Sequence, residues 1–491
     1  MQPTDHPHPD RWKALAVCLV GGAMVLLDVS IVNVALPSIE TGISAAQSEL
    51  QWVVSGYALT FGLLLVPAGR IGDVRGRRVV FVAALGLFTL ASAACGLAPN
   101  GITLVIARLV QGLAGGSVTP QISATIQEMF QGRERGKAFG SFGTMVGIAT
   151  AVGPLLGGLL IQIFGDANGW RAVFFVNIPI GLVAMPLAWK LLPEREQRTT
   201  RRRRHDLDPI GVVLLGLGVV LLLMPFVQNQ EWGAWRWWLV PVAAFALGAF
   251  IGWERLYGAR GREPLVDLAL YRRRSYSAGS AMITLYFAGF TPLFFVFTLY
   301  LQSGLGYTAL AAGLAITPFA LGSAVAAAIG GRKVSDVGRP LIVVGLVLVI
   351  VGLAATYVAV RLDPAHGTGW ATLVPLLVAG FGGGLVISPN QALTLSEVPV
   401  EQAGTASGLL QTGQRVGSAV GIAAAGSVFF AAVASSHGDF ATAFERGILV
   451  AGCFVIAALL IAGTDVIAGR VQGHEGERAG RASVMHPVRR G

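Results

Sequence analysis

The sequence predicts an all-α membrane protein that crosses the bilayer many times. Of its 491 residues, 54% are hydrophobic and only 13% are charged, which is about half the charged fraction of soluble domains. The mean hydropathy is +0.66, and apolar runs of about 20 residues, long enough to cross a hydrocarbon core, recur along the chain. The 65 glycine residues also favour membrane helices, because small side chains let two backbones approach closely.

Fourteen apolar runs predict fourteen membrane-spanning helices. The first run follows a short polar segment without a small-residue cleavage site, so we expect it to be retained as a helix. An even number of spans places both ends of the chain on one side of the membrane. The predicted spans are 12–36, 51–68, 79–98, 102–128, 139–163, 171–190, 209–228, 236–253, 276–302, 308–330, 340–360, 370–393, 404–433 and 447–468.

Basic residues between the spans indicate the side of the membrane on which each link lies. Thirty of the 36 Lys and Arg residues fall on the side of the two termini, and four fall on the opposite side. Because cytoplasmic links are enriched in positive charge, we expect both termini in the cytoplasm of a multi-pass protein of the cell membrane, inner or plasma. The same distribution explains the net charge of +10 without a nucleic-acid partner. The run Arg201–Arg204 contacts at most lipid head groups.

The chain contains an internal repeat. Residues 136–153 align without gaps with residues 404–421 and match at seven positions. Spans 1–6 therefore correspond to spans 9–14, and spans 7 and 8 are an insertion. Two related six-helix halves predict alternating access, in which the halves rock around a central site. The expected divisions are a first half at 12–190, a linker with two inserted helices at 191–275, a second half at 276–468 and a disordered cytoplasmic tail at 469–491.

A charged, glycine-punctuated segment, Gly69–Arg78, lies between spans 2 and 3. Its acid suits the N-terminal end of a neighbouring helix or an arginine partner, and its glycines permit a tight turn. A blurred copy at Gly331–Arg339 lies between spans 10 and 11, with one residue fewer after its acid. We expect the first segment to latch a cytoplasmic gate, the alternative being an ordinary positive loop. The gate residues are Gly69, Asp73, Gly76, Arg77, Arg78, Asp336 and Arg339.

Two charged residues lie inside early spans. At 1.5 Å per residue, Asp28 lies about 13 Å and Arg108 about 9 Å from the outer ends of their spans. These similar depths predict one polar network, in which a proton on Asp28 releases Arg108 or a cationic substrate. The alternative for Arg108 is a structural role in helix packing.

Span 5 combines glycine with an internal proline, at Gly147, Gly153, Pro154, Gly157 and Gly158. Proline removes a backbone hydrogen bond and kinks the helix, and the glycines let another helix approach closely. A glycine-rich packing face without a further role would look similar.

Together these motifs resemble those of the major facilitator superfamily, and in particular its 14-helix drug/proton antiporter branch. The resemblance covers nearly the whole chain from Asp28 to about Gly421. Gly69–Arg78 is similar to the family's loop between helices 2 and 3, and span 5 to a motif typical of antiporters. The span 4 sequence is similar to a motif whose arginine is implicated in proton coupling. The resemblance implies the major facilitator fold with a 6+2+6 arrangement of helices, and proton coupling through Asp28 and Arg108.

The resemblance further implies a secondary active exporter that exchanges protons for an amphipathic small molecule, such as a drug, antibiotic or lipophilic cation. The alternatives are a proton-coupled symporter or uniporter of a small metabolite, and a membrane-bound sensor or enzyme. We expect no enzyme activity, because no soluble domain of useful length and no nucleophile constellation stand out. A phosphate-binding loop is not found, which argues against ATP. We expect no cofactor, no metal, and a monomer in the lipid bilayer.

Polar and aromatic residues within the spans are expected to line a central cavity. Arg415 lies eleven residues inside span 13, at a depth of about 16 Å, and occupies the position of Gly147 in the repeat. It either lines the cavity or braces the two halves through helix carbonyls. The other residues expected at the cavity are Asn33, Gln51, Trp52, Tyr57, Gln121, Tyr286, Asn390 and Gln411.

Overall fold

The computed structural model describes residues 9–165, 168–194, 208–227, 233–262, 264–362, 367–436 and 438–485. Within these ranges the chain forms sixteen α-helices and no β-strand. The helices are α1 (Arg11–Ile43), α2 (Gln47–Arg75), α3 (Arg77–Gly96), α4 (Gly101–Met129), α5 (Gly132–Phe164), α6 (Gly169–Phe175), α7 (Asn177–Leu191), α8 (Pro209–Val227), α9 (Leu239–Ala259), α10 (Arg274–Leu299), α11 (Ala309–Val337), α12 (Pro340–Leu362), α13 (Thr368–Ala371), α14 (Leu373–Thr394), α15 (Ala403–Ser435) and α16 (Phe440–Met485).

Thirteen helical segments of the described chain are long and apolar enough to cross a bilayer. This confirms the prediction of an all-α protein with many membrane spans. At predicted span 7, helix α8 has a shorter apolar segment, Pro209–Pro225. Predicted span 6 corresponds to α6 and α7, which are separated by Val176. The number fourteen and the 6+2+6 arrangement therefore stay predictions.

The charged segment between spans 2 and 3 is mostly helical and not a loop. Helix α2 continues to Arg75 and α3 begins at Arg77, so that only Gly76, with a φ of 100°, separates them. The expectation of a turn is therefore correct for Gly76 and wrong for Gly69, which lies inside α2. The run Arg201–Arg204 lies outside the described residues.

Helix α16 continues to Met485, although the sequence predicts disorder after residue 468. The part of α16 that is apolar enough to cross a bilayer ends at Ala468. Residues 469–485 continue the same helix. The division of the chain into two halves, an insertion and a tail stays a prediction.

Two helix pairs make the most extensive contacts between α1–α7 and α10–α16, and we call them the α2–α15 seam and the α5–α11 seam. A Cβ on Gly69 would lie 2.2 Å from the carbonyl oxygen of Gly404 in the first seam. A Cβ on Gly331 would lie 2.5 Å from the carbonyl oxygen of Gly136 in the second. Backbones this close require glycine, because a methyl group would overlap the facing helix.

Helix α8 lies against both helices of the α2–α15 seam. Its Leu215, Val219 and Leu223 form one apolar cluster with Leu59 of α2, and Leu409 of α15 packs against the same cluster. Helix α8 therefore contacts both α1–α7 and α10–α16, which we call the two helix groups.

Candidate functional site

A buried polar network occupies the centre of α1–α7. Asp28 on α1 is fully buried, and Arg108 on α4 is 2% exposed. The Nη1 atom of Arg108 donates to Asp28 Oδ2 at 2.6 Å. The side-chain amides of Gln111 and Asn177 each donate to Asp28 Oδ1 at 2.9 Å. Both oxygen atoms of the carboxylate therefore have donors, as a charge buried in a membrane span requires.

Further contacts extend the network to five helices. Arg108 Nε donates to the carbonyl oxygen of Val53 on α2 at 3.1 Å. The hydroxyl of Ser92 on α3 accepts from Gln111 at 3.1 Å and from Asn177 at 2.9 Å. The predicted pairing of Arg108 with Asp28 is confirmed by this geometry. Ser92 and Asn177 were not predicted as members, and the only signal in the sequence is that each is polar within an apolar run.

A small cavity lies between this network and α15. Its volume is about 60 Å³, below the few hundred Å³ that are typical of pockets for drug-sized ligands. Asn33, Tyr57, Phe61 and Arg108 line it from α1, α2 and α4, and Arg415 lines it from α15. The cavity therefore lies between the two helix groups, and a larger ligand requires the groups to move apart.

Arg415 forms part of the cavity wall. It makes no hydrogen bond or ion pair with any of the described residues, and its guanidinium lies over the ring of Phe61 at 4.5 Å. Similarly, the guanidinium of Arg108 lies over the ring of Tyr57 at 4.0 Å. Of the two predicted placements, the first is therefore correct, because no helix carbonyl in the described chain accepts a bond from Arg415.

Among the other residues expected at the cavity, Asn33 and Tyr57 line it and Gln121 and Asn390 do not. Gln121 donates to a backbone carbonyl of α2 at 2.8 Å, and Asn390 donates to one of α10 at 3.2 Å. The prediction was wrong for these two, because each amide satisfies a carbonyl between two packed helices.

The remaining four expected residues also lie away from the cavity. Gln411 donates to a hydroxyl on its own helix at 3.1 Å. Tyr286 stacks on a neighbouring phenylalanine of α10, with ring centroids 5.5 Å apart. Gln51 and Trp52 lie near the start of α2, where Trp52 packs against the apolar cluster of α8. Their assignment to the cavity was therefore wrong.

At one end of the α2–α15 seam, Asp73 caps helix α15. Its side chain is 1% exposed. Oδ1 accepts from the backbone N–H of Gly404 at 3.0 Å, and Oδ2 accepts from the backbone N–H of Thr405 at 2.9 Å and from its hydroxyl at 3.1 Å. Amides in the first turn of a helix lack partners within it, and the positive end of the helix dipole favours a carboxylate. This confirms that Asp73 binds a neighbouring helix end.

Arg77 ties three elements together next to this cap. Its Nη1 donates to a backbone carbonyl of α4 at 2.7 Å and to Glu128 at 2.8 Å. Its Nη2 donates to the carbonyl oxygen of Val400, which precedes α15. Arg78 pairs instead with the exposed Glu194 at 2.5 Å. Of the two arginines, only Arg77 therefore adds to the contact that Asp73 makes across the seam.

The copy of the motif at the α5–α11 seam is built differently. Asp336, whose side chain is 49% exposed, accepts from Nε and Nη2 of Arg133 at 2.9 and 2.7 Å. No backbone amide of the described chain donates to it. Arg339 lies apart from this pair, where it donates to the carbonyl of Ser275 at 2.8 Å and pairs with Asp465 at 3.1 Å.

The glycines of the α5 motif face different helices. A Cβ on Gly147 would lie 3.0 Å from a backbone oxygen of α11, whereas Cβ atoms on Gly153 and Gly157 would lie 2.5 and 2.8 Å from side chains of α1. No described atom outside its own helix lies within 4 Å of a Cβ on Gly158. Close approach is therefore confirmed for three of the four glycines and is wrong for Gly158. Pro154 lies inside α5.

The model of the Major Facilitator Superfamily matches residues 18–422, and the chain belongs to this family. It is therefore a multi-pass membrane transporter of small molecules and not an enzyme. The chain is 36% identical over 433 residues to a probable actinorhodin transporter of Streptomyces coelicolor, covering 87% of this chain and 74% of the relative. It is 34% identical over 471 residues to a puromycin resistance protein of Streptomyces alboniger, covering 93% and 90%.

Among solved structures, the fold is similar to that of the human organic anion transporter MFSD10. The TM-score is 0.65, with 15% sequence identity and coverage of 94% of this chain and 100% of that chain. At this identity the likeness shows the fold alone.

Proposed function

We propose that this transporter exports amphipathic small molecules in exchange for protons. The observation that carries the proposal is the buried ion pair of Asp28 and Arg108, because Arg108 also forms part of the cavity wall. Ionisable residues inside membrane spans are costly, and they commonly mark proton or ion pathways.

A proton on Asp28 removes the charge that holds Arg108 at 2.6 Å. Gln111 and Asn177 lose a charged acceptor at the same time. Because these residues come from α1, α4 and α7, protonation changes how three helices are held together. It also changes the cavity wall at Arg108. Proton and substrate then act on the same wall, so that the binding of one changes the affinity for the other.

The contact of Asp73 with α15 holds one end of the α2–α15 seam closed. In our proposal this end faces the cytoplasm, together with both termini, because most of the Lys and Arg residues lie on that side. Substrate enters the cavity when the Asp73 contact opens, and it leaves on the other side after the contact has closed again. The two helix groups rock about the cavity between these states.

An antibiotic-like cargo is supported by the relatives, which are named for actinorhodin transport and for puromycin resistance. We propose that the protein acts as a monomer, since one chain supplies cavity-lining side chains from both helix groups. The proton gradient supplies the energy, and the cargo reaches the protein from the cytoplasm or from the bilayer.

Inside-out membrane vesicles with an acidic interior test the proposal. The wild-type protein should accumulate members of a panel of antibiotics and lipophilic cations. Asp28→Asn should reduce gradient-driven uptake at least about tenfold, because an amide cannot carry the proton. Substrate counterflow without a gradient should persist in this variant, since counterflow needs no proton step. Asp336→Asn makes the same change at an exposed acid and serves as the matched control.

Gradient-driven uptake that is unchanged in Asp28→Asn would rule out coupling through this residue. Asp28→Glu keeps the charge and should recover part of the coupling, which separates loss of the proton site from damage to the network. Uptake that requires the opposite gradient would favour a symporter.

A further inference from the structure

The charge of Arg415 has no partner in the described chain. The residue lies on α15, lines the cavity, and makes no hydrogen bond or ion pair with the described residues. Its contact is with the face of Phe61, which supplies weak attraction but no negative charge. An arginine inside a membrane span is costly unless it is paired or meets water or a ligand. Water or a ligand in the cavity can solvate this guanidinium, and of the two only an anionic ligand supplies a counter-charge.

Arg108 differs from Arg415 in this respect, although both line the same cavity. The charge of Arg108 is matched by Asp28 at 2.6 Å. No described residue of the cavity wall carries a carboxylate. With Asp28 ionised, the site therefore has a net charge of +1, which attracts anions and repels cations.

A second unsatisfied donor lies at the same wall. The hydroxyl of Tyr57 is buried and has no hydrogen-bond partner among the described residues. Because buried polar groups are stabilised by a hydrogen-bond partner, this hydroxyl is available to a ligand atom in the cavity. Tyr57 and Arg415 come from opposite helix groups, and a ligand bound to both would bridge them.

The wall also favours a flat ligand. The rings of Tyr57 and Phe61 lie about one turn apart on α2, with centroids 5.9 Å apart, and each carries a guanidinium on its face. Guanidinium groups and aromatic rings both stack on planar π systems.

From these contacts we infer that the cavity selects planar aromatic molecules bearing a carboxylate or phenolate, and that Arg415 binds the anionic oxygen atoms. The inference rests on the proposed export function and specifies its cargo. Because the cavity of about 60 Å³ is too small for such a molecule, the anion binds when the helix groups have moved apart. Exchange of a monovalent anion for one proton moves two positive charges inward, so that the membrane potential adds to the pH gradient as a driving force.

Two dyes with the same xanthene core test the inference, namely the anion fluorescein and the cation tetramethylrosamine. Their binding to the purified full-length protein is measured by fluorescence anisotropy at one mildly alkaline pH. The wild-type protein should bind fluorescein more tightly. Arg415→Gln should weaken fluorescein binding about tenfold or more and should not weaken tetramethylrosamine binding, because a charge-assisted contact is lost. Arg415→Lys should retain part of the preference.

Two further variants keep the test decisive. Tyr57→Phe removes only the hydroxyl and should weaken fluorescein binding roughly three- to tenfold. Arg361→Gln removes the same charge as Arg415→Gln at an exposed site on α12 and should leave both affinities unchanged. A loss of fluorescein binding in Arg361→Gln as large as in Arg415→Gln would overturn the assignment to Arg415.

The binding results test the inferred cargo independently of the proposed proton exchange. Absent fluorescein binding, equal binding of the two dyes, or unchanged fluorescein affinity in Arg415→Gln would overturn the inference, even if gradient-driven export of cations continued. Arg415-dependent fluorescein binding without any gradient-driven transport would support the inference and count against proton exchange.

Discussion

The α2–α15 and α5–α11 seams are formed by corresponding segments of the predicted internal repeat, yet their acids have different environments. Matched glycines bring the backbones together in both seams, at Gly404 in one and at Gly136 in the other. Asp73 is buried and binds backbone amides, whereas Asp336 is half exposed and binds a guanidinium. The two seams therefore share their close packing but not their charge contact.

The difference follows from where the facing helix begins. Helix α15 begins at Ala403, so that its first-turn amides are available to Asp73. Helix α5 begins at Gly132, about one turn before the matched position. The amides at that position are already used within the helix, and Asp336 meets the side chain of Arg133 instead. One additional helical turn therefore replaces a buried cap with a surface ion pair.

The largest effect is expected where the seams are alike. Gly69→Val and Gly331→Val each place side-chain atoms where even a Cβ would lie within 2.5 Å of the facing backbone. Overpacking of this kind costs about 1–3 kcal/mol or more, and both variants should lose most of their export activity in vesicles. Gly252→Val, at a position in α9 with no described atom outside its own helix within 4 Å of the new Cβ, is the control. Full activity in either seam variant would show that the close approach is not needed.

A smaller effect, confined to one seam, is expected from the acids. Asp73→Ala leaves two backbone amides of α15 and the hydroxyl of Thr405 without their acceptor, which should cost the closed state about 2 kcal/mol, or roughly 30-fold in population. Spin labels at the exposed residues 75 and 397 would report a longer distance across the seam. The exposed Cys453 is first replaced by serine. Asp336→Ala is the matched substitution and should leave this distance unchanged.

If Asp73→Ala and Asp336→Ala opened the α2–α15 seam equally, the different environments of the two acids would have no effect on its closure. Asp73→Asn refines the result, because it retains an acceptor oxygen but removes the charge. We expect its distance distribution to lie between those of the wild-type protein and Asp73→Ala.

The smallest effect is expected at the surface pair of Asp336 and Arg133. Exposed ion pairs contribute about 0–1 kcal/mol and are screened by salt. Arg133→Ala should change export less than about twofold, and high salt should abolish even that difference. A large loss of activity in Arg133→Ala at low salt, measured beside Asp73→Ala, would contradict this ranking.

Some of the site could be predicted from the sequence because membrane spans restrict depth. Counting residues from the span ends places Asp28 and Arg108 at similar depths, and charged groups at that depth have few other partners. Depth does not fix the rotation of a helix about its axis. For that reason the sequence left the role of Arg415 open and wrongly assigned Gln121 and Asn390 to the cavity.

Glycine has two uses that one sequence does not distinguish. It allows a positive φ, as at Gly76, or the close approach of two backbones, as at Gly69. The charged segment contains both, and the sequence predicted only the first. Ser92 and Asn177 were missed for a related reason, since a small polar residue in an apolar span serves a helix contact as often as a charged network.

Helix α8 gives the molecule two unlike flanks in the plane of the membrane. It covers the α2–α15 seam through the apolar side chains of Leu215, Val219 and Leu223, while the α5–α11 seam has no comparable cover from α8 or α9 in the described chain. When the helix groups separate, α8 must slide along one of its two partners or be carried away with the other. Lipid chains can therefore reach the parting helices more readily on the uncovered flank, and a cargo dissolved in the bilayer would have its shortest sideways route there.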